Sequence, residues 1–102
     1  MRVKVATIAD IPPGAVVERR ILARKVAVFN IDGSLKAMEA ECKHMRAPLA
    51  TGKVVDGVVT CDWHGWKYDL ESGECLTTKG VSLKQFPVEV EDGNVYVEIE
   101  TA

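Results

Sequence analysis

The chain predicts an all-β, antiparallel fold, and three observations carry that prediction. Apolar residues recur with a period of two near both ends of the chain. Four turn dipeptides punctuate only 102 residues, and no stretch sustains the spacing of a long amphipathic helix. At the N-terminus Val3, Val5 and Thr7 alternate with Arg2, Lys4 and Ala6, the pattern of a half-buried strand. The breaker cluster Ile11-Pro12-Pro13-Gly14 ends it, and Val16-Val17 with Ile21-Leu22 marks a second strand. The doublets Arg19-Arg20 and Arg24-Lys25 bracket the turn into a third, Lys25 to Ile31. Asp32-Gly33 then leads into a fourth, Leu35 to Glu41, because this dipeptide accepts the positive φ angles of a two-residue hairpin loop. Asp56-Gly57 makes a hairpin inside KVVDGVVT, Ser72-Gly73 turns the chain after YDLE, and Asp92-Gly93 joins FPVEV to NVYVEI. The one helical candidate, Ala47 to Thr51, is no longer than a turn.

No repeat or linker interrupts this pattern, so a single domain over 1–102 is expected. Its base is formed by residues 1–41 and 86–102, and residues 42–85 read as an insertion of short hairpins. Composition is that of a folded globular chain, 47% hydrophobic and 27% charged. A net charge of −2 with scattered Lys and Arg argues against nucleic-acid binding. No apolar run approaches the roughly 20 residues of a membrane span, and MRVKVATIAD lacks a signal-peptide core. A cytoplasmic monomer with no membrane partner is expected, its cysteines reduced or metal-bound. Three cysteines, an odd number, also argue against a disulfide framework.

The chemistry concentrates in two short segments. CKHMRAPL begins at Cys42 and CDWHGWKYD at Cys61, giving C-x-H, sixteen intervening residues, then C-x-x-H. Both histidines of the chain, His44 and His64, are spent here. Two metals compete for such a set. Zinc accepts two Cys and two His tetrahedrally, but usually with the cysteines paired in one segment and the histidines in another. Here each segment supplies one of each, which suits two metal centres reached by both loops. A [2Fe–2S] cluster with two Cys on one iron and two His on the other is such a site. An all-cysteine cluster needs a fourth thiolate, which this chain lacks.

Residues 42–64, continued by HGWKYD, resemble the Rieske motif, and the flanking strands with the ending FPVEVEDGNVYVEI resemble small stand-alone Rieske ferredoxins. The resemblance implies an antiparallel β-sandwich or barrel base carrying a cluster-binding subdomain. It implies one [2Fe–2S] cluster, with Cys42 and Cys61 on the buried iron and His44 and His64 on the outer one. It also implies a surrounding shell of Met45, Trp63, Gly65, Trp66 and Tyr68. Neutral imidazoles leave the oxidised cluster uncharged, so its potential lies near −150 to +300 mV, against about −400 mV for plant-type clusters. High-potential members add a disulfide between the cluster loops, at positions that are Ala47 and Trp63 here, and a Ser hydroxyl where this chain has Trp66. Tyr68 keeps the remaining hydroxyl. Fewer hydrogen bonds to sulfur imply the low-potential, oxygenase-associated type.

The resemblance thus implies a one-electron carrier between a flavoprotein reductase and a terminal oxygenase. The alternative is a small subunit of a larger reductase, of the nitrite reductase type. An oxygenase subunit would need two further histidines for a mononuclear iron, and none is left. Cys75 is expected to be a free structural cysteine. The acid-rich ending (Glu89, Glu91, Asp92, Glu98, Glu100) is expected to be a solvated edge hairpin guarded by charge. The loop TTKGVSLKQFP departs from the proline-containing cover of the family, with Pro87 only at its end.

Overall fold

A computed structural model describes residues 1–42, 48–49, 52–62 and 65–99. These form ten strands: β1 (Arg2–Thr7), β2 (Val16–Ile21), β3 (Arg24–Ile31), β4 (Ser34–Glu39), β5 (Lys53–Val55), β6 (Val58–Thr60), β7 (Lys67–Asp69), β8 (Gln85–Phe86), β9 (Val88–Glu91) and β10 (Asn94–Glu98). Among the described residues no helix is long and apolar enough to cross a membrane.

The strands make three antiparallel sheets, in the orders β1-β10-β9, β2-β3-β4-β8 and β5-β6-β7. The sheet β2-β3-β4-β8 lies between two apolar cores. Val26, Val28, Ala37 and Phe86 face one core, with Val5, Ala6, Val95, Val97 and Ile99 of the terminal strands. Ala27, Phe29, Met38 and Ala40 face the other, with Leu49, Val59, Tyr68 and Leu70. Two covered faces explain why β3 is buried at five consecutive positions instead of alternating.

The three Asp-Gly dipeptides behave as expected. Each pair has positive φ at both residues (52° and 96° at Asp32-Gly33, 52° and 74° at Asp56-Gly57, 51° and 76° at Asp92-Gly93), the signature of a type I′ hairpin turn. The arginine doublets also flank a two-residue turn, with Ile21 opposite Arg24.

Other local expectations are corrected. Strict alternation in β1 fails because the register slips between Lys4 and Ala6, and the bulge buries Val5 and Ala6 together. FPVEV is not one strand: Phe86 pairs with Ala37 in the central sheet, whereas Val88 begins β9 in the terminal sheet. Pro87, which has no N–H to give to a ladder, stands at the transfer. A 3-10 turn over Ile8–Asp10 was not anticipated. Asp10 secures its start by accepting hydrogen bonds from the Thr7 N–H (3.1 Å) and hydroxyl (3.0 Å). Most of the helical candidate at 47–51 lies outside the described residues.

The acid-rich ending is partly neutralised within the terminal sheet. Arg2 bridges Glu89 (3.3 Å) and Glu91 (2.9 Å) and stacks over the Tyr96 ring, while the N-terminal ammonium meets Glu98.

Candidate metal centre

Each cysteine of the motif pair stands at the stem of a closed loop. Beyond β4, Glu41 bridges Pro48, and the Leu49 N–H donates to Ala40 O at 2.8 Å. Cys42 therefore opens an excursion whose two ends are tied together. The second loop opens at Cys61, whose N–H donates to Trp66 O at 2.7 Å. In sequence His44 and His64 fall inside these two loops; they and Met45 and Trp63 lie outside the described residues.

Gly52 brings the two loops together. A Cβ built there would sit 2.5 Å from the Thr60 carbonyl oxygen, 3.1 Å from the Leu49 oxygen and 3.0 Å from Val59 Cγ2. The chain leaving the first loop thus crosses directly over the residue preceding Cys61. Only a residue without a side chain permits that approach, and nothing in the local sequence advertises it.

The small sheet supplies the floor. Register pairs Val54 with Val59 and Val59 with Tyr68, and isolated bridges extend the ladder from Tyr68 to Cys75 and from Glu74 to Ser82. Val54, Val59, Tyr68, Cys75 and Val81 form its inward row, in one apolar cluster with Cys42 and Cys61. Gly73, at φ 80°, anchors the far end: the Leu83 N–H donates to its carbonyl at 2.7 Å, and any Cβ would meet Leu83 O at 2.5 Å. The proline-poor third loop is thereby held at its stems by backbone hydrogen bonds, with Leu83 buried and Val81 packed on the cluster.

Both motif sulfurs are withdrawn from water, Cys42 at 0% and Cys61 at 1% exposure, and no cysteine is in a disulfide. The Tyr68 hydroxyl, itself fully buried, reaches Cys42 Sγ at 3.3 Å. Trp66 is half-buried against the same cluster, and Gly65 is exposed with φ 71°. Cys75 is a buried thiol whose Sγ lies 3.4 Å from the Thr77 hydroxyl. Among the described residues no three His, Cys, Asp or Glu side chains assemble as a metal site, which is expected when both histidines fall outside that set.

The donor chemistry fits an iron–sulfur cluster. A thiolate in an apolar core is costly unless a cation compensates it, and ferric iron does so. A phenolic hydroxyl aimed at one sulfur then has a charged acceptor, the strong kind of hydrogen bond.

Comparison with known proteins agrees with this chemistry. Residues 1–87 match the model of the Rieske [2Fe-2S] domain. The biphenyl dioxygenase ferredoxin subunit of Pseudomonas sp. (strain KKS102) is 32% identical over 101 residues, covering 97% of this chain and 93% of that one. In a solved complex of reduced oxygenase and oxidized ferredoxin of carbazole 1,9a-dioxygenase, a chain superposes with TM-score 0.86 at 32% identity. That match covers 94% of this chain and 100% of the other. A Mycobacterium tuberculosis chain assigned as the small subunit of an NADH-dependent nitrite reductase shares the fold, with TM-score 0.89, 23% identity and coverage of 100% and 97%.

Proposed function

The chain belongs to the Rieske [2Fe-2S] domain family, and from that premise we propose that it is the ferredoxin of a multi-component oxygenase system. It takes one electron from a reductase and delivers it to a terminal oxygenase; it is not itself the catalyst. The observation that carries this reading is the pair of buried, disulfide-free cysteines at the stems of two loops, each loop also holding one of the chain's only two histidines.

In this reading Cys42 and Cys61 hold one iron, and His44 and His64 the other. When bound, the cluster supplies a one-electron store at moderate potential. The chain's own residues do the rest. The inward row of Val54, Val59 and Val81 excludes water from the sulfurs. Tyr68 donates its hydroxyl toward Cys42 Sγ and so stabilises added negative charge there. Met45, Trp63, Gly65 and Trp66 complete the surroundings. Residues 42–85 form the cluster-binding unit, set into a base of 1–41 and 86–102. A cytoplasmic location belongs to the same reading, supported by three cysteines outside any disulfide.

Iron and acid-labile sulfide analysis of protein made under iron-replete conditions is the test, with about two of each expected per chain. Stoichiometric zinc without labile sulfide would overturn the reading. The rival assignment, a small subunit of a larger reductase, rests on a likeness that bears on fold alone. Stable co-purification with a large reductase subunit would favour it.

A further inference from the structure

The small sheet has an outer face as well as its inward one. Lys53 pairs with Thr60 and Thr60 with Lys67. The Leu76 N–H donates to Lys67 O at 2.7 Å, setting Leu76 opposite Lys67. Directly opposed residues share a face, so Lys53, Thr60, Lys67 and Leu76 form one outward row. It is the row at the Cys61 end of the sheet, since Thr60 immediately precedes that cysteine. Both lysines are exposed, Leu76 is 54% exposed between them and the third loop, and Lys79 is exposed on that loop.

Among the described residues ion pairs form at Met1, Arg2 and Lys36, and neither Lys53, Lys67 nor Lys79 takes part in one. The nearby acids stand off this row. Asp62 is a single exposed carboxylate beside Cys61. Asp69 and Glu74 share the next outward row with Val55 and Val58, about 7 Å further along the strands. The row itself therefore carries two lysines and no acid, although the whole chain carries −2.

We propose that the row Lys53–Thr60–Lys67–Leu76, with Lys79, is the docking face for an acidic surface of the electron-accepting protein. Unpaired exposed cations steer an oppositely charged partner, and Leu76 offers an apolar contact among them. The proposal rests on the ferredoxin reading and adds to it the chemistry of the partner.

The test reduces the holoprotein and follows its oxidation by stopped flow with two probes, anionic hexacyanoferrate(III) and cationic tris(phenanthroline)cobalt(III). The anion's rate should fall about threefold or more as salt rises from roughly 10 to 200 mM, and the cation's should not. Lys53→Gln/Lys67→Gln/Lys79→Gln should abolish that dependence with the visible spectrum unchanged. Lys4→Gln/Arg20→Gln/Lys25→Gln, which makes the same change in net charge on the base, should leave it intact. A hexaglutamate peptide should slow hexacyanoferrate oxidation of the parent protein and not of the first variant. Salt dependence that follows the net charge, or equal effects from the two triple variants, would overturn the docking face. A protein with no reversibly reducible chromophore would instead overturn the ferredoxin reading itself.

Discussion

The two faces of the central sheet bury similar residues to different ends. Toward the terminal strands the core is Val5, Ile11, Val26, Val28, Val95, Val97 and Ile99 with one aromatic ring, Phe86, so it is mainly aliphatic and has no polar atom in its side chains. Toward the small sheet it contains two cysteines at loop stems, a third in the ladder, and a fully buried tyrosine hydroxyl set against one sulfur. The first core can be described by volume and area alone. The second is constrained by where particular atoms must point. The same β3 and β4 backbone serves both, so the aliphatic face holds rigid the platform on which the chemical face is positioned.

Substitutions on the two faces should therefore fail differently. The largest effect is expected from Cys42→Ser or Cys61→Ser, which removes a thiolate and should abolish the cluster, read as loss of labile sulfide and visible absorption. Ile11→Ala on the aliphatic face should cost about 2–5 kcal/mol of unfolding free energy. Its folded fraction should keep an unchanged midpoint potential. A shifted midpoint in Ile11→Ala would break the division between the faces. Gly52→Ala lies between the two cases. It forces backbone away from Thr60 O and Leu49 O, at a cost of about 1–3 kcal/mol, and should release iron faster than the parent protein. Equal iron retention would show that the two loops tolerate separation.

The contrast also explains what could be read in the sequence. Hairpin turns at Asp32-Gly33, Asp56-Gly57 and Asp92-Gly93 were legible because positive φ at two successive positions demands particular residues locally. The Cys-His spacing was legible because a metal demands particular donors. The closeness of Gly52 to Thr60 was not, since the constraint comes from backbone eight residues away, with no pattern of its own. The bulge at Val5 and the split at Pro87 escaped for the same reason: the partner strand decides them, and propensity does not. The 3-10 turn does have a local signal, Thr7 followed three residues later by Asp10.

A smaller effect should come from Tyr68→Phe, which keeps the packing of the chemical face and removes only the hydroxyl near Cys42 Sγ. One hydrogen bond is worth about 1 kcal/mol net, so the midpoint should fall by a few tens of mV, with assembly intact. Protein-film voltammetry reads this directly. No shift would mean that the hydroxyl contributes to packing and leaves charge on the sulfur untouched.

The smallest effect is expected far from the cluster, at Asp10, where the terminal sheet carries a titration of its own. The Thr7 N–H and hydroxyl hold the Asp10 carboxyl below its ordinary value, opposed by slight desolvation and helped by Arg19 and Lys4. A carboxylate with a lower pKa folded than unfolded binds fewer protons in the native state, so it adds stability above the unfolded pKa. That increment disappears as pH falls through the folded pKa. Asp10→Asn keeps an acceptor for Thr7 and removes the charge. The urea midpoint of the variant should lie slightly below that of the parent at pH 6, and the gap should close in acid. A gap that persists unchanged in acid would assign the effect to hydrogen-bond geometry. The cluster's potential should not register the substitution at either pH, because Asp10 ends the exposed 3-10 turn after β1, next to Ile11 of the aliphatic core, whereas the cysteines belong to the other core.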